Sequence, residues 1–357
     1  MMKKKEAFIN IGLLIIFIVI SLFYYVRLRK DKYFERYNYI ATVNSDVNDP
    51  KIKPQDSTRS KRENIVQILD GHFINLENDT ISLKDPNILY GEWRDDDTAS
   101  LSFYDRDDSD RYKRLFPSRI FLKWYSFDEQ KFFSIKSELP YDKILKGVKN
   151  VIPNDWQNMF ICATILPKGK VSISLFKKSN TKGFNDFLFK PIDTLTAKTT
   201  TENWKIVKNY QPYFKNITSQ SNLTTLLKDK HKWRFFIEIP EKSQIEFSGL
   251  DLFNDHFFNG FYEGNPSLMK ENILPKTFEV DWISNGTKYR IEWQFDGEEI
   301  LSAFRSLEKI NNNSEIELKM HIPEDNSVVS VVLQKGNSIY KLQNISDREK
   351  NTTPVEL

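Results

Sequence analysis

Two stretches of the sequence, residues 116–126 and residues 274–284, alternate apolar and polar residues in the same order. Apolar residues at every second position are typical of a strand with one buried face. The two strands also share a proline and a tryptophan at matching positions, Pro117 and Trp124 in the first and Pro275 and Trp282 in the second. We interpret these four residues as the structural anchors of a repeated unit, with a tryptophan in the core of each copy.

The pattern that follows each tryptophan strand is also shared. It predicts a return strand, one amphipathic helix and then a hairpin of two strands. These elements are predicted at 132–139, 140–148, 159–166 and 171–177 in the first copy, and at 288–295, 297–309, 315–322 and 328–335 in the second. A further pair of strands opens the second copy, at 232–240 and 244–252. The unit is therefore ββ-ββ-α-ββ, and we predict an α+β fold with two tandem repeats of a mainly antiparallel sheet with one helix.

An apolar run at residues 7–26 precedes the repeats. It is long enough to form a transmembrane helix, because about 20 residues span the ~30 Å hydrocarbon core of a bilayer. Bulky residues stand before Arg27, where a cleaved signal would carry small ones. We therefore predict an uncleaved, single-pass helix in the bacterial inner membrane. Basic residues flank the run on both sides and slightly favour a cytoplasmic C-terminal side. An N-terminal anchor before a large domain more often serves export, and we therefore predict domains in the periplasm.

These patterns divide the chain into six segments. They are a transmembrane anchor at 1–30, a flexible tether at 31–64, a first repeat domain at 65–198, a connecting segment at 199–231, a second repeat domain at 232–345 and a disordered tail at 346–357. The tether is predicted to be flexible because residues 44–64 have many charges and few apolar side chains, and so bury too little surface to fold. Trp204, Tyr210 and Tyr213 predict that the connecting segment packs against the domains.

Composition restricts the partners of this protein. The 357 residues include 52 basic and 49 acidic ones, and this near balance argues against a nucleic-acid partner. The many aromatic residues, 27 Phe and 15 Tyr, favour sheets, where such side chains fit a half-buried pleated surface. Cys162 is the single cysteine, so no disulfide forms within the chain. Its apolar neighbours predict a small buried core residue rather than a nucleophile.

Carboxylates are concentrated in one segment. Asp95, Asp96 and Asp97 are followed by Asp105, Asp107, Asp108 and Asp110. Oxygen ligands at this density suit calcium, but the glycine and terminal glutamate of an EF-hand loop are missing. Nearby arginines favour a solvated loop, and the last four aspartates are weak candidates for metal ligands. The four histidines are scattered and no catalytic motif occurs, so the sequence predicts no cofactor and no catalytic residue.

A dense aromatic segment at 253–262 is the candidate for molecular recognition. The candidate residues are His256, Phe257, Phe258, Phe261 and Tyr262. If they are exposed, they form an apolar patch of the kind that binds a partner. If they are buried, they belong to the core. The sequence favours burial and leaves both interpretations open.

The first copy resembles a bacterial family of domains of unknown function, family 2931, whose members look like envelope lipoproteins. The resemblance rests on Phe116-Pro117, Trp124-Tyr125-Ser126, Glu129 to Phe133, Leu139-Pro140 and Ile144, and Trp233 to Pro240 resembles the start of the family. The resemblance implies an envelope protein with two tandem copies of the family's domain, and it identifies no catalytic residues. The chain departs from the family in lacking a lipidated cysteine and in its predicted helical anchor. Some relatives accompany secreted toxins, which suggests a protective role.

These observations favour a membrane-anchored, non-catalytic binding protein of the bacterial envelope with an unidentified protein partner. The predicted anchor, the duplicated scaffold and the missing catalytic motif support this hypothesis, and two linked copies suit bivalent binding. One alternative is an envelope hydrolase whose acidic residues are dispersed in the sequence. A second alternative is a structural component of an envelope machine.

Overall fold

The computed structural model describes residues 12–25, 36–37, 39–46, 64–83, 88–89, 114–151, 159–178, 187–209, 211–255, 257–259, 272–327, 329–345 and 353–355. Within them the protein is mainly β, with several antiparallel and mixed sheets and few helices. The predicted α+β class is therefore confirmed.

The described elements form two halves and a connecting segment. The N-terminal part and first half contain α1 (12–25), β1 (Arg36–Tyr37), β2 (Ile40–Ser45), β3 (Val66–Asn75), β4 (Thr80–Ser82), β5 (Ile88–Leu89), β6 (Arg114–Leu115), β7 (Pro117–Ser126), β8 (Lys131–Glu138), α2 (Tyr141–Val151), β9 (Met159–Leu166), β10 (Lys170–Lys178), β11 (Phe187–Thr196) and β12 (Lys198–Thr200). The connecting segment contains α3 (Lys205–Lys208), a short 3-10 helix (Pro212–Phe214) and α4 (Gln220–Lys228). The second half contains β13 (Trp233–Glu238), β14 (Ser243–Leu252), β15 (Phe257–Asn259), β16 (Pro275–Ser284), β17 (Thr287–Gln294), α5 (Gly297–Glu308), β18 (Ile316–His321), β19 (Ser330–Lys335), β20 (Ser338–Lys341) and β21 (Thr353–Val355).

Each half contains a sheet built around three neighbouring antiparallel strands, and we call this sheet the meander sheet of that half. The strand order is β12-β8-β7-β3-β4 in the first half, with β5 also paired to β3, and β15-β14-β16-β17-β21 in the second. Strands β3, β7 and β8 therefore correspond to β14, β16 and β17. The hairpins predicted around both tryptophan strands are confirmed as β7–β8 and β16–β17.

The two meander sheets share their irregularities as well as their order. A β-bulge inserts one extra residue into a strand. The register places such a residue at Leu69 in β3 and at Glu246 in β14, which are matching positions. A second register shift lies at the other end of each strand pair, where Pro117 and Pro275 begin β7 and β16. Proline is tolerated at the first position of a strand, and both prolines occupy that position.

The two anchor tryptophans occupy matching positions in the cores. Trp124 is 1% exposed and Trp282 is 0% exposed. Trp124 stacks on Phe133, its partner on β8, with ring centroids 5.4 Å apart. Trp282 stacks in the same way on Tyr289 of β17, at 5.5 Å. The predicted role of both tryptophans in the core is therefore confirmed.

Each half also contains a second sheet, which we call its mixed sheet, with the order β11-β10-β9-β2 or β13-β18-β19-β20. In both sheets the opening strand lies parallel to the strand that follows the helix, β2 beside β9 and β13 beside β18. The prediction that 232–240 and 244–252 pair with each other is therefore wrong, because β13 and β14 belong to different sheets. The single antiparallel sheet of the predicted unit is corrected to two sheets. A parallel partner distant in sequence leaves no local pattern to predict it.

The meander and mixed sheets of a half pack face to face. In the second half, Phe235 of β13 contacts Phe278 of β16, with ring centroids 5.5 Å apart. The predicted helices are present as α2 and α5, and each packs against its mixed sheet. Helix α5 is capped by Asp296, whose side chain accepts hydrogen bonds from the N–H groups of Glu298 and Glu299.

The predicted ends of the first domain and of the tail need correction. Strand β2 lies inside the segment expected to be a flexible tether, and its residues are almost all buried. Asn64 Nδ2 donates hydrogen bonds to the carbonyl oxygens of Asp46 and Ile165, both at 3.0 Å, and so holds the end of this segment against β9. Strand β21 lies in the tail expected to be disordered and pairs with β17. Residues 47–63 of the expected tether lie outside the described residues.

The predicted anchor is described only in its middle part. Helix α1 covers residues 12–25, and its large apolar side chains are exposed. Among the helices that the structure describes, none combines the length and apolar character needed to cross a membrane. Residues 1–11 and 26–30 of the predicted anchor lie outside the described part.

The connecting segment is packed, as predicted, and it contacts both halves. Leu223 and Leu227 of α4 are buried in an apolar cluster with the core of the second half. Tyr125 and Phe132 of the first meander sheet belong to the same cluster. Tyr210, one of the residues behind the prediction, lies outside the described residues. The two halves are therefore joined by continuous apolar packing.

Cys162 is fully buried in β9, as predicted for a core residue. Burial raises the pKa of its thiol to about 12. Its Sγ atom lies 3.5 Å from Thr164 Oγ1. Since the thiolate is the reactive form of cysteine, a thiol with so high a pKa is inert at neutral pH.

Candidate binding face

The aromatic segment that the sequence identifies is divided between core and surface. Phe253 is 0% exposed and Phe258 packs partly buried against the core of the second half, whereas Phe257 is 53% exposed. Phe257 and Phe258 are successive residues of β15, and successive strand residues point to opposite faces. His256, Phe261 and Tyr262 lie outside the described residues. Burial is therefore confirmed for Phe253, while Phe257 lies on the surface.

Phe257 has an aromatic neighbour that the sequence analysis missed. Phe247 lies on the adjacent strand β14 and is 36% exposed. A Cβ atom at Gly249 would come within 2.8 Å of the Phe257 ring and 3.0 Å of the Phe247 ring, so both rings lie directly against this glycine. The missing side chain at Gly249 therefore lets two phenylalanines form one exposed apolar patch at the edge of the second meander sheet.

The bulge in β14 explains how Phe247 reaches the outer face, the face directed away from the core. Side chains alternate along a regular strand, and the extra residue of a bulge interrupts that alternation. Ile245 packs against the core, Phe247 is paired with Asp281 on the outer side, and Glu246 contacts Lys288 at 2.8 Å. The interrupted alternation at Glu246 and Phe247 is the sequence signal that could have identified these residues.

Charged side chains occupy the centre of this outer face. Asp281 is buried, accepts a hydrogen bond from Arg290 Nε at 2.9 Å, and lies 3.4 Å from Lys288 Nζ. Arg290 also pairs with Glu279. The hydrogen bond to Asp281 raises the pKa of Arg290, and the hydrogen bond to Glu246 raises the pKa of Lys288. Asp281 therefore orients two permanent cations along the face.

Carboxylates outnumber cations on this face. Glu279 and Glu292 are directly opposite each other on β16 and β17, and like charges in that position are destabilising. Gln294 donates a hydrogen bond to Glu292 at 2.9 Å. The outward positions in the register of β14, β16 and β17 carry five carboxylates and two cations: Glu246, Asp251, Glu279, Asp281 and Glu292 against Lys288 and Arg290. Together with Phe247 and Phe257, these residues form what we call the acidic–aromatic face. Lys276, near the start of β16, pairs with Asp255 and also interacts with Asp251.

The corresponding face of the first meander sheet is covered by the connecting segment. Tyr125 is 1% exposed, and its hydroxyl accepts a hydrogen bond from Gln220 Nε2 of α4 at 3.1 Å. Burial raises the pKa of Tyr125 to about 12. Lys123 pairs with Glu202 of the connecting segment at 2.7 Å. Leu69, Tyr125 and Phe132 of the covered face correspond to Glu246, Ile283 and Lys288 of the acidic–aromatic face.

The other candidate residues do not converge on a reactive site within the described part of the chain. Asp105, Asp107, Asp108 and Asp110 lie outside the described residues, so the metal and hydrolase hypotheses stay untested predictions. Among the residues that the structure describes, no group of three or more histidines, cysteines and acids could hold a metal ion. His231 Nδ1 lies 2.7 Å from Glu308 Oε1, and His321 Nδ1 lies 3.3 Å from Glu238 Oε2. Each of these histidines therefore faces a single carboxylate.

An open groove of about 530 Å³ lies on the outer face of the second mixed sheet. Arg234, Glu317 and Gln334 line it, and Arg234 pairs with Glu315 at its rim. The residues that line the groove are all polar or glycine, so it offers no apolar anchor for a partner. The acidic–aromatic face is therefore the stronger candidate for a functional site.

No family model, curated protein or solved structure matches this chain. The resemblance to family 2931 stays an expectation from the sequence.

Proposed function

We propose that this protein is a non-catalytic binding protein that contacts a protein partner through the acidic–aromatic face. The observation that carries the proposal is the exposure of Phe247 and Phe257 side by side on a charged sheet. Single exposed apolar residues are common on protein surfaces, but grouped ones are typical of interaction sites. Aromatic side chains are also enriched in the centres of protein interfaces. Gly249 keeps the two rings together, so the patch is a built feature of the sheet.

The proposal includes attachment to the bacterial inner membrane, with both halves in the periplasm. It is supported by the apolar run at 7–26 and by the exposure of the apolar side chains of α1, which ranges from 48% to 72%. A helix that is apolar on all sides requires apolar surroundings, in a membrane or in a protein core. Protection of the cell against a toxin is the narrower form of this proposal, and only the resemblance to family 2931 supports it.

Position-specific photocrosslinking in living cells tests the binding face. A photoreactive amino acid replaces Phe257 in one variant and Phe247 in a second. Control variants carry it at Ile339, which is 64% exposed on the second mixed sheet, and at Leu76, which is 50% exposed in the first half. We expect the same protein adduct at Phe257 and Phe247 and none at the two controls, because only the face should lie within reach of the partner.

The controls separate specific binding from general apolar contact. Adducts of equal intensity at all four positions would show non-specific contact and contradict the proposal. The absence of an adduct at both phenylalanines, in a protein with an unchanged melting temperature, would also contradict it. Every variant is therefore compared with wild type by thermal unfolding before the adducts are interpreted.

A fusion of alkaline phosphatase after Leu357 tests the predicted orientation. This enzyme is active only after export, because its disulfides form in an oxidising compartment. We expect an active fusion in the membrane fraction. A full-length, membrane-bound but inactive fusion would place the two halves in the cytoplasm and remove the periplasmic part of the proposal.

A further inference from the structure

We infer that the acidic–aromatic face binds a basic amphipathic helix presented by its protein partner. This inference rests on the binding function proposed above and adds the shape and charge of the partner. It is supported by the occupant of the matching face in the first half, by the excess of carboxylates on the second face, and by the position of its apolar side chains.

The first half shows which kind of segment this backbone accommodates. Strand β12 pairs with β8 beside Phe133, and β21 pairs with β17 beside Tyr289, so both meander sheets gain an edge strand at the same place. Beyond β12, α4 contacts the outer face through Gln220, which donates a hydrogen bond to the Tyr125 hydroxyl, and Thr224, which donates one to the Phe127 carbonyl oxygen. Leu223 and Leu227 of the same helix belong to the apolar cluster that contains Tyr125. Residues four apart lie on one side of a helix. A helix with such an apolar stripe is therefore already an occupant of this type of face.

The charge of the second face selects a basic occupant. Its two cations, Lys288 and Arg290, both contact Asp281. Two positive charges leave an excess of negative charge over five carboxylates, and Glu279, although it also pairs with Arg290, lies opposite Glu292 on the adjacent strand. A lysine or arginine of the partner above this pair would remove the repulsion between like charges. Complementary charge across an interface also orients the partner and excludes acidic competitors.

The apolar side chains of the face complete the match. Phe247 and Phe257 lie at the β14–β15 edge, and Ile283 is partly exposed near the turn between β16 and β17. Leucine-like residues of a helix can contact these side chains while its basic residues reach Glu279 and Glu292. The long stems of lysine and arginine also pack on aromatic rings, whose faces attract cations. The surface therefore suits a helix with one apolar and one basic side.

Two synthetic peptides probe this specificity with the full-length protein. Each has about 18 residues, enough for about five helical turns. One peptide carries a stripe of leucine and an adjacent stripe of lysine, so that both can contact the face, and the second has glutamate in place of every lysine. Binding is measured by fluorescence anisotropy for wild type, for the double variant Glu279→Gln/Glu292→Gln, for Phe257→Ser and for Glu317→Gln. Glu317→Gln is the matched control, because it removes an acid from the outer face of the second mixed sheet.

We expect wild type to bind the lysine peptide and not the glutamate peptide. The affinity should fall about tenfold in the double variant and in Phe257→Ser, which corresponds to about 1.4 kcal/mol. The affinity of Glu317→Gln for the lysine peptide should equal that of wild type. The affinity of wild type should fall as added salt screens the charges. Equal binding of both peptides, wild-type affinity of the double variant, or no binding of the lysine peptide would each overturn the inference.

These outcomes are separate from those of the crosslinking experiment. An adduct at Phe257 together with a failed peptide experiment would mean a protein partner of different chemistry, and the proposed binding function would stand. The absence of an adduct at Phe257 and Phe247 would instead remove the binding function, whatever the peptides do.

Discussion

The outer faces of the two meander sheets have the same strand arrangement, but the connecting segment covers the first face and the second face is exposed. Both sheets have the same strand order and a bulge at the same position. In the first half, Tyr125 is buried beneath the connecting segment, whereas its counterpart Ile283 is partly exposed in the second half. The bulge residue is Leu69 in one half and Glu246 in the other. The comparison shows that one strand arrangement supports a covered face in one half and an exposed face in the other, and that a few outward side chains distinguish the two faces.

The largest expected effects concern the buried anchors beneath both faces. Trp124→Ala and Trp282→Ala should each lower the free energy of unfolding by about 3–5 kcal/mol, the usual cost of removing a large core aromatic. Because side chains of both halves meet in one apolar cluster, we expect each variant to unfold in a single urea transition. Leu76→Ala, at an exposed position, serves as the control with little effect. Two separate transitions would show that the halves fold independently.

A matched pair of substitutions tests the covered face against the open one. Tyr125→Ala should cost about 3 kcal/mol, because it removes a buried aromatic side chain. It also removes the hydrogen bond with Gln220. Ile283→Ala, at the corresponding position, should cost about 1 kcal/mol or less, since this side chain is only partly buried. Urea unfolding of both variants measures the difference, and equal losses would refute the contrast between the two faces.

Alkaline pH tests the covered face through the Tyr125 hydroxyl. Burial raises its folded-state pKa from 10.0 to about 12. A raised pKa means that the folded protein holds the proton more tightly than the unfolded chain does, so this contribution to stability is complete below pH 10. It is lost as pH rises from about 10 to about 12. We expect the stability of wild type to fall more steeply over this range than that of Tyr125→Phe. Parallel curves of the two proteins would mean that solvent reaches the hydroxyl.

The smallest expected effect concerns the ion pair at the rim of the covered face. Lys123 and Glu202 are both partly exposed, and such pairs contribute about 0.2–1 kcal/mol. Lys123→Met should therefore lower the free energy of unfolding only slightly, and the difference should vanish at high salt because salt screens exposed charges. Urea unfolding at low and high salt measures it. A loss that persists at high salt would mean that the lysine acts through packing.

Local patterns predicted the parts of the fold that depend on neighbouring residues. The hairpins around Trp124 and Trp282, the two core helices and the burial of Cys162 follow from alternation, helical spacing and apolar neighbours. The parallel partners of β2 and β13 could not be predicted, because pairing between strands distant in sequence leaves no periodic signal. For the same reason, β2 was assigned to the tether.

The candidate site was only partly predictable. Phe257 was among the candidates because aromatic residues are dense around it, but the sequence favoured burial of its segment. Phe247 was missed, since its exposure depends on the bulge and on the ring positions over Gly249. The acid pair of Glu279 and Glu292 depends on the register between two strands, which no single strand pattern contains.

The parallel pairing of the mixed sheets also has a consequence for the order of folding during synthesis. Strand β2 is synthesised at the start of its half, and β9 follows only after the β7–β8 hairpin and α2. Pairing between distant segments slows folding, because the loop between them must close first. Until then the opening strand has an unpaired edge, which is prone to association with other chains. A nascent chain halted before β18 would therefore carry an unpaired β13, which a chaperone could protect.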